Sequence, residues 1–284
     1  MTDASFALPR DGVKFEDCDF YHTVEIPGRG VVHGQWDLRQ HLDEYLGGYR
    51  FAGKRVLEIG PASGFLTFEM ERRGADVVAL EVPDDPGWDF VPFPDDVLQP
   101  NFAPRRQHMT RIKNSFWFLH HLNRSKARLC YGDSCRIPND LGTFDVAVMA
   151  SVLLHCERPV RIIAECAKRA DTLIVTDVYR PELEGLPVCS LVPGPNKKTL
   201  DTWWNFSTDF IQQYFGVLGF RQTSITRHEQ LSEINGKALP LFTAVGSKVE
   251  LAGRSEIEQV SRGLRGKIIS RVARAAYRVA ARYA

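Results

Sequence analysis

No Cys-x-x-Cys pair occurs among the six cysteines of this 284-residue chain (Cys18, Cys130, Cys135, Cys156, Cys166 and Cys189), so neither a zinc ribbon nor a dithiol redox centre is written into it. Reduced, mostly buried thiols are expected instead. No group of His, Cys, Asp and Glu has convincing metal-ligand spacing, which argues against metal-assisted catalysis. No apolar run reaches the length of a membrane span, and Met1 to Ser5 carry neither the basic region nor the apolar stretch of a secretory signal, which points to a cytoplasmic protein. Net charge is nearly absent too: 36 Lys+Arg against 35 Asp+Glu leave +1, and the whole molecule has no electrostatic claim on nucleic acid or membrane. The remainder is ordinary for a soluble globular chain, 44% hydrophobic and 25% charged, with length for one large or two small domains.

The stretch from Arg55 to Phe65 organises the rest. Val56, Leu57 and Ile59 form a short apolar run of the kind found in a parallel strand covered on both faces, and Gly60 and Gly64 allow a tight turn into a helix beginning at Phe65. Glu58 interrupts the run, and a carboxylate near the carboxyl end of such a strand is expected to meet a ligand or ordered water in the crevice. A dinucleotide fingerprint needs glycines at its first, third and sixth positions; Gly60, Ala62 and Phe65 stand there, and Phe65 would obstruct a pyrophosphate. A nicotinamide oxidoreductase is therefore disfavoured.

Strands alternate with helices after the turn. Asp76 to Glu81 predicts the second strand, ending in an acid about twenty residues past the turn, where a carboxylate can hold both ribose hydroxyls of a nucleoside. Ala127 to Tyr131 predicts the third, closed by Gly132, Asp133 and Ser134; Asp133 either accepts a hydrogen bond from an adenine amino group or caps the next turn. Phe144 to Ala150 and Thr172 to Asp177 predict the fourth and fifth strands, with a helix from Val160 to Arg169 between them. Gly219 to Ile225 and Leu241 to Val245 predict the last two. Between the second and third strands, six prolines from Pro83 to Pro104 are expected to break regular structure into a long loop carrying Trp88, Phe90 and Phe93 over the ligand. A helix is predicted only from Arg111 to Asn123.

Glu58-x-Gly60-x-x-x-Gly64, Glu81, Gly132-Asp133 and Phe144-Asp145-Val146 stand in the order and approximate spacing of the motifs of class I S-adenosylmethionine-dependent methyltransferases, which the chain resembles. More narrowly, Phe20 to Pro27, Trp36-Asp37-Leu38-Arg39, Val152 to His155 with Pro159, and Asp201-Thr202-Trp203-Trp204 resemble a bacterial subgroup related to tRNA wobble-uridine carboxymethyltransferases. The resemblance covers roughly residues 20 to 246. It implies a Rossmann-like α/β sheet of seven strands with the last pair antiparallel, and S-adenosyl-L-methionine, or its carboxylated analogue, held by Glu58, Gly60, Ala62, Gly64, Glu81, Asp133, Ser134 and Ala150. Three divisions are expected: an N-terminal cap over 1–50, the cofactor-binding domain over 51–250 and a helical tail over 251–284.

In the cap, Phe20 to Ile26 predicts a strand with Val31 to His33 as its hairpin partner, followed by a helix from Trp36 to near Gly47. Tyr21, His22, His33 and Trp36 make a dense group that either fastens the cap or meets a ligand. Together with Trp88, Trp203 and Trp204, Tyr21 and Trp36 are the candidate substrate contacts. Methyl transfer to a hydroxyl asks for alignment and a base. His155, at the turn after the fourth strand, is the first candidate, with Asp177 and His22 next; His155 can equally be structural. The expected activity is O-methylation of a small-molecule, glycan or secondary-metabolite acceptor, with transfer to tRNA the alternative, for which Arg105, Arg106, Arg111 and Lys113 supply charge. A non-catalytic binding protein is a third class, one that predicts lost cofactor motifs.

The tail carries Arg262, Arg265, Lys267, Arg271, Arg274, Arg278 and Arg282 and no acid beyond residue 262, so the rest of the chain is net acidic. Its basic and apolar residues recur at helical spacing. Docking or homodimerisation through the apolar face is expected first, peripheral contact with an anionic membrane next, and nucleic acid less.

Overall fold

The computed structural model describes residues 6–84 and 89–248; Trp88 and the 251–284 tail lie outside the described residues. The first elements are a hairpin, β1 (Val24–Ile26) with β2 (Gly30–Val32), then a two-residue strand β3 (Trp36–Asp37) and a single helical turn α1 (Leu42–Tyr45). The hairpin forms where the sequence predicts one, but its first strand starts at Val24 rather than Phe20 and its second spans Gly30–Val32 rather than 31–33. The helix expected from Trp36 does not start there: Trp36 and Asp37 instead pair with the far edge of the main sheet.

The strand at the organising stretch is β4 (Arg55–Ile59), followed by α2 (Phe65–Arg72), β5 (Asp76–Glu81), α3 (Asp95–Leu122), β6 (Arg128–Tyr131), β7 (Phe144–Ala150), α4 (Pro159–Ala167) and β8 (Ala170–Val178). A small hairpin, β9 (Cys189–Leu191) with β10 (Trp204–Phe206), precedes α5 (Thr208–Val217), which Ser207 caps by accepting the Phe210 N–H at 3.0 Å. The last strands are β11 (Gln222–Ser232) and β12 (Lys237–Ser247).

The main sheet runs β3-β11-β12-β8-β7-β4-β5-β6, parallel from β8 to β6 and antiparallel from β8 to β3. Removing the short edge strand β3 leaves seven strands with an antiparallel final pair. The central strands read as apolar runs because both faces are covered: Leu57, Val78, Ala147, Val148, Leu173 and Ile174 have no exposed surface. Ile162, Ile163 and Cys166 of α4 and Ile211 and Phe215 of α5 pack into the same apolar cluster as Leu57, Met149 and Leu173. Strand order reverses between β4 and β7, which places a topological switch point at the carboxyl ends of those strands.

The largest departure is α3. It starts at Asp95 and continues through Pro100 and Pro104, residues expected to break it. Each proline forfeits one helical hydrogen bond. The downstream turns offset that loss by burying Ile112, Phe116, Trp117 and Leu119, so packing overrides local propensity.

Gly64 shows how closely α2 and α3 approach. It caps α2 with φ +86°, and a Cβ there would lie 2.5 Å from Phe68 Cε2 and 2.8 Å from Phe116 Cδ2. Gly64→Ala should therefore destabilise the protein by about 2–3 kcal/mol, through a disfavoured backbone and two aromatic clashes. Denaturant unfolding checks this, and an unchanged midpoint would show that the two rings have room to move.

Candidate active site

A cavity of ≈ 460 Å³ opens at the switch point. Its floor is the turn after β4. Gly60 has φ +71°, donates its N–H to Leu80 O at 2.9 Å, and leaves no room for a side chain, because a Cβ would stand 2.7 Å from Val152 Cγ2. Ala62, also in the left-handed region at φ +50°, donates its N–H to Glu81 Oε2 at 3.3 Å. Glu81 Oε1 accepts the Val82 N–H at 2.8 Å. Two backbone donors thus fix a 7% exposed carboxylate at the end of β5, facing the cavity; burial raises its pKa, opposed by those donors and by Lys113. Gly132, Asp133 and Ser134 line the next wall and Ala150 the one after, so six of the eight expected cofactor contacts share one space: Gly60, Ala62, Glu81, Asp133, Ser134 and Ala150. Asp133 Oδ1 accepts the Cys135 N–H at 2.8 Å, the capping role, while the residue still lines the cavity.

Glu58 and Gly64 are not among the lining residues. The Glu58 side chain turns under α2, where Thr67 Oγ1 donates to its Oε2, and burial pushes its pKa up to about 8. An acid expected in the crevice is thus a buried, neutral packing group. Gly64 serves the contact between α2 and α3. Asp177 also does not line the cavity. It is 2% exposed, accepts the Val178 N–H at 2.7 Å through Oδ1, and has its pKa raised to about 7 by burial. The strand turns its side chain into the protein.

The opposite wall is built from distant parts of the chain: Tyr21, His22, Gln35, Trp36 and Tyr45 from the N-terminal segment, Arg105, His108, Met109 and Ile112 from α3, and Asp89, His155, Arg158 and Asp201. Ser63 Oγ accepts the Tyr21 N–H at 3.2 Å, fastening this segment to the cofactor turn. The His22 ring lies 5.6 Å from Phe65, and burial lowers its pKa to about 3, so it is neutral at physiological pH. His155 Nδ1 donates to the Asp201 carbonyl, while Asp201 Oδ2 pairs with Arg105. Burial and then the Arg105 charge lower the His155 pKa to about 4.

Trp203 and Trp204 do not line the cavity; they brace it. Their indole N–H groups donate to Asp89 O at 2.7 Å and Cys156 O at 3.1 Å, holding two residues that do line it. Of the four basic residues that carried the tRNA alternative, three are paired within the chain. Arg105 pairs with Asp201, Arg111 Nε lies 3.1 Å from Asp19 Oδ1, and Lys113 Nζ lies 2.7 Å from Asp84 Oδ1. Sequence reasoning missed Gln35, His108, Asp89, Arg158 and Asp201. For His108 a signal existed: 105, 108, 109 and 112 form a helical stripe, visible once α3 is extended past Pro104.

No protein-family model matches the chain, and a search of curated proteins gives no match. Solved structures do match. The N-terminal domain of EvdMO1 with SAH bound aligns with a TM-score of 0.54 at 17% identity, covering 82% of this chain and 92% of that one. The same domain in the presence of SAH and D-fucose aligns with a TM-score of 0.53 at 18% identity and the same coverage. This is the class I methyltransferase fold. A SAM-dependent methyltransferase from Methanosarcina mazei also matches, with a TM-score of 0.47 at 15% identity over 70% of this chain and 93% of that one. With this fold, the Gly60 turn, Glu81 and Asp133 stand at the carboxyl ends or turns of its first three parallel strands, β4, β5 and β6. Among the described residues, no helix is long and apolar enough to cross a membrane.

Proposed function

We propose that the chain transfers a methyl group from S-adenosyl-L-methionine to a hydroxyl of a small polar acceptor, a sugar or a glycosylated secondary metabolite. The observation that carries this is the union, in one cavity, of a nucleoside-type wall with a polar and aromatic wall. On the first wall, Glu81 would accept the ribose hydroxyls, Gly60 and Ala62 would let the methionine moiety lie against the backbone, and Asp133 Oδ2 or the Ser134 region would meet the adenine. When bound, the cofactor supplies an activated methyl group, so the chain's own task is alignment and proton removal.

The second wall suits a hydroxylated acceptor. Tyr21 and Trp36 offer rings for a sugar face, and Gln35, Asp89, Arg158 and Asp201 offer hydrogen-bonding groups. D-fucose accompanies SAH in one EvdMO1 structure, which makes free 6-deoxy sugars reasonable first probes. Transfer to tRNA is less favoured, because Arg105, Arg111 and Lys113 are neutralised by partners within the chain and leave little charge for phosphates.

The test is methyl transfer from S-[methyl-³H]adenosylmethionine to D-fucose and other monosaccharides, with tRNA as the comparison. Label entering sugar is the expected result; label entering tRNA alone would replace this acceptor class with nucleic acid.

A further inference from the structure

A second histidine in the cavity is better placed than His155 to take a proton. His108 lies on α3 with its Nδ1 3.4 Å from Asp19 Oδ2, and Asp19 is itself held by Arg111. On the other side of the ring, Nε2 is 3.3 Å from the side-chain amide nitrogen of Gln35. An amide nitrogen only donates, so Nε2 accepts and the ring proton sits on Nδ1, donating to Asp19. The tautomer follows from these two neighbours. It leaves a basic nitrogen directed at Gln35, which lines the cavity with His108.

His155 has the reverse surroundings. Its Nδ1 donates to a neutral carbonyl, and Arg105 stands close enough to disfavour a second positive charge. An imidazolium forming at His155 would be repelled by Arg105, whereas the His108 Nδ1 faces a carboxylate oxygen of Asp19 at 3.4 Å. His155 therefore serves to hold the Asp201 segment against the cavity.

Resting on the methyl-transfer reading above, we propose that His108 is the general base, that Asp19 is its positioning residue, and that the acceptor hydroxyl displaces the Gln35 amide from Nε2. The acceptor oxygen forms its bond to the methyl carbon as the carbon–sulfur bond breaks, with that bonding pair left on sulfur, and the hydroxyl proton passes to His108 Nε2. The positive charge of the sulfonium thus ends on an imidazolium beside Asp19, and the proton leaves to water with the product.

The experiment compares wild type, His108→Ala, His108→Gln, Asp19→Asn and His155→Ala. Calorimetry gives the S-adenosylmethionine affinity of each, and tritium transfer to D-fucose and other free monosaccharides gives turnover. Nitrogen-15 spectra of histidine-labelled protein give the His108 tautomer. Expected are a wild-type His108 protonated on Nδ1, a weaker tautomer preference in Asp19→Asn, and a kcat lowered roughly 100-fold or more in His108→Ala with cofactor affinity little changed. Added imidazole should restore part of that turnover, and Asp19→Asn should lose roughly 10-fold. Near-normal turnover in His108→Ala, or a wild-type ring protonated on Nε2, would overturn the assignment. So would loss of cofactor binding in both His108 variants, which marks the residue as structural. A wild type that binds no cofactor sinks the methyl-transfer reading itself; one that binds cofactor but methylates no sugar sinks the base assignment for this acceptor class.

Discussion

Glu81→Ala should weaken S-adenosylmethionine binding by about 1–3 kcal/mol, roughly 5- to 150-fold, while leaving the fold intact. The carboxylate is held in place by backbone donors from Ala62 and Val82, so a ribose bound there would cost it no side-chain entropy. Its replacement removes charge-assisted hydrogen bonds and leaves the Ala62 N–H without its acceptor. A pH trend accompanies the effect. Ribose hydroxyls donate best to the ionised carboxylate, and burial raises the Glu81 pKa, so affinity should fall as the pH is lowered from neutral and the proton competes with the ligand. Calorimetric titrations of wild type and variant across that range check both points. Equal affinities would move the ribose elsewhere.

The second large effect concerns stability. Glu58 has its pKa raised by burial from an ordinary 4.5 to about 8. A carboxyl raised in this way contributes most when protonated, below its unfolded value, and that contribution is lost as the pH rises through the folded value. At about 1.4 kcal/mol per unit, wild type should lose roughly 3–4 kcal/mol between pH 5 and pH 9 from this group. Asp177, raised from 3.8 to about 7, adds to the loss in the same direction. Glu58→Gln keeps an acceptor for the Thr67 hydroxyl but cannot ionise. Its unfolding free energy should be flatter with pH than that of wild type by that amount, and parallel curves for the two proteins would contradict the buried placement of Glu58.

Which parts were legible in the sequence follows from what each part buries. β4, β5, β7 and β8 are apolar runs because both faces are covered, and Gly60 and Glu81 at the carboxyl ends of β4 and β5 line the cavity. β11 is a contrasting case. It was expected to end near Ile225 but continues to Ser232, because His228, Gln230 and Ser232 face inward as buried polar residues. His228 Nε2 meets Thr243 Oγ1 at 2.9 Å, and Gln230 Nε2 donates to His41 O at 3.0 Å, so the polar face is satisfied internally and shows no hydrophobic alternation.

The site divides in the same way. Gly60, Ala62 and Glu81 are close in sequence and fixed by one turn and two strands, so their spacing alone groups residues that line one cavity. Glu58 shares that spacing yet turns away, because alternation along a strand sets which side a residue faces and the glycine pattern does not. The opposite wall of the cavity joins Gln35, Arg105, His108 and Asp201 across long sequence separations, two of them on a helix that prolines were expected to break. No local pattern records such a juxtaposition.

The most direct measurement of the central claim is a calorimetric titration of S-adenosylhomocysteine into the wild-type 284-residue chain, repeated with Glu81→Ala and with NAD as a control ligand. Saturable 1:1 binding of S-adenosylhomocysteine, weakened in Glu81→Ala, with no heat from NAD, is the predicted result. Absence of S-adenosylhomocysteine binding, or binding that Glu81→Ala leaves unchanged, would contradict the assignment of the cavity at the β4–β7 switch point as a methyl-donor site.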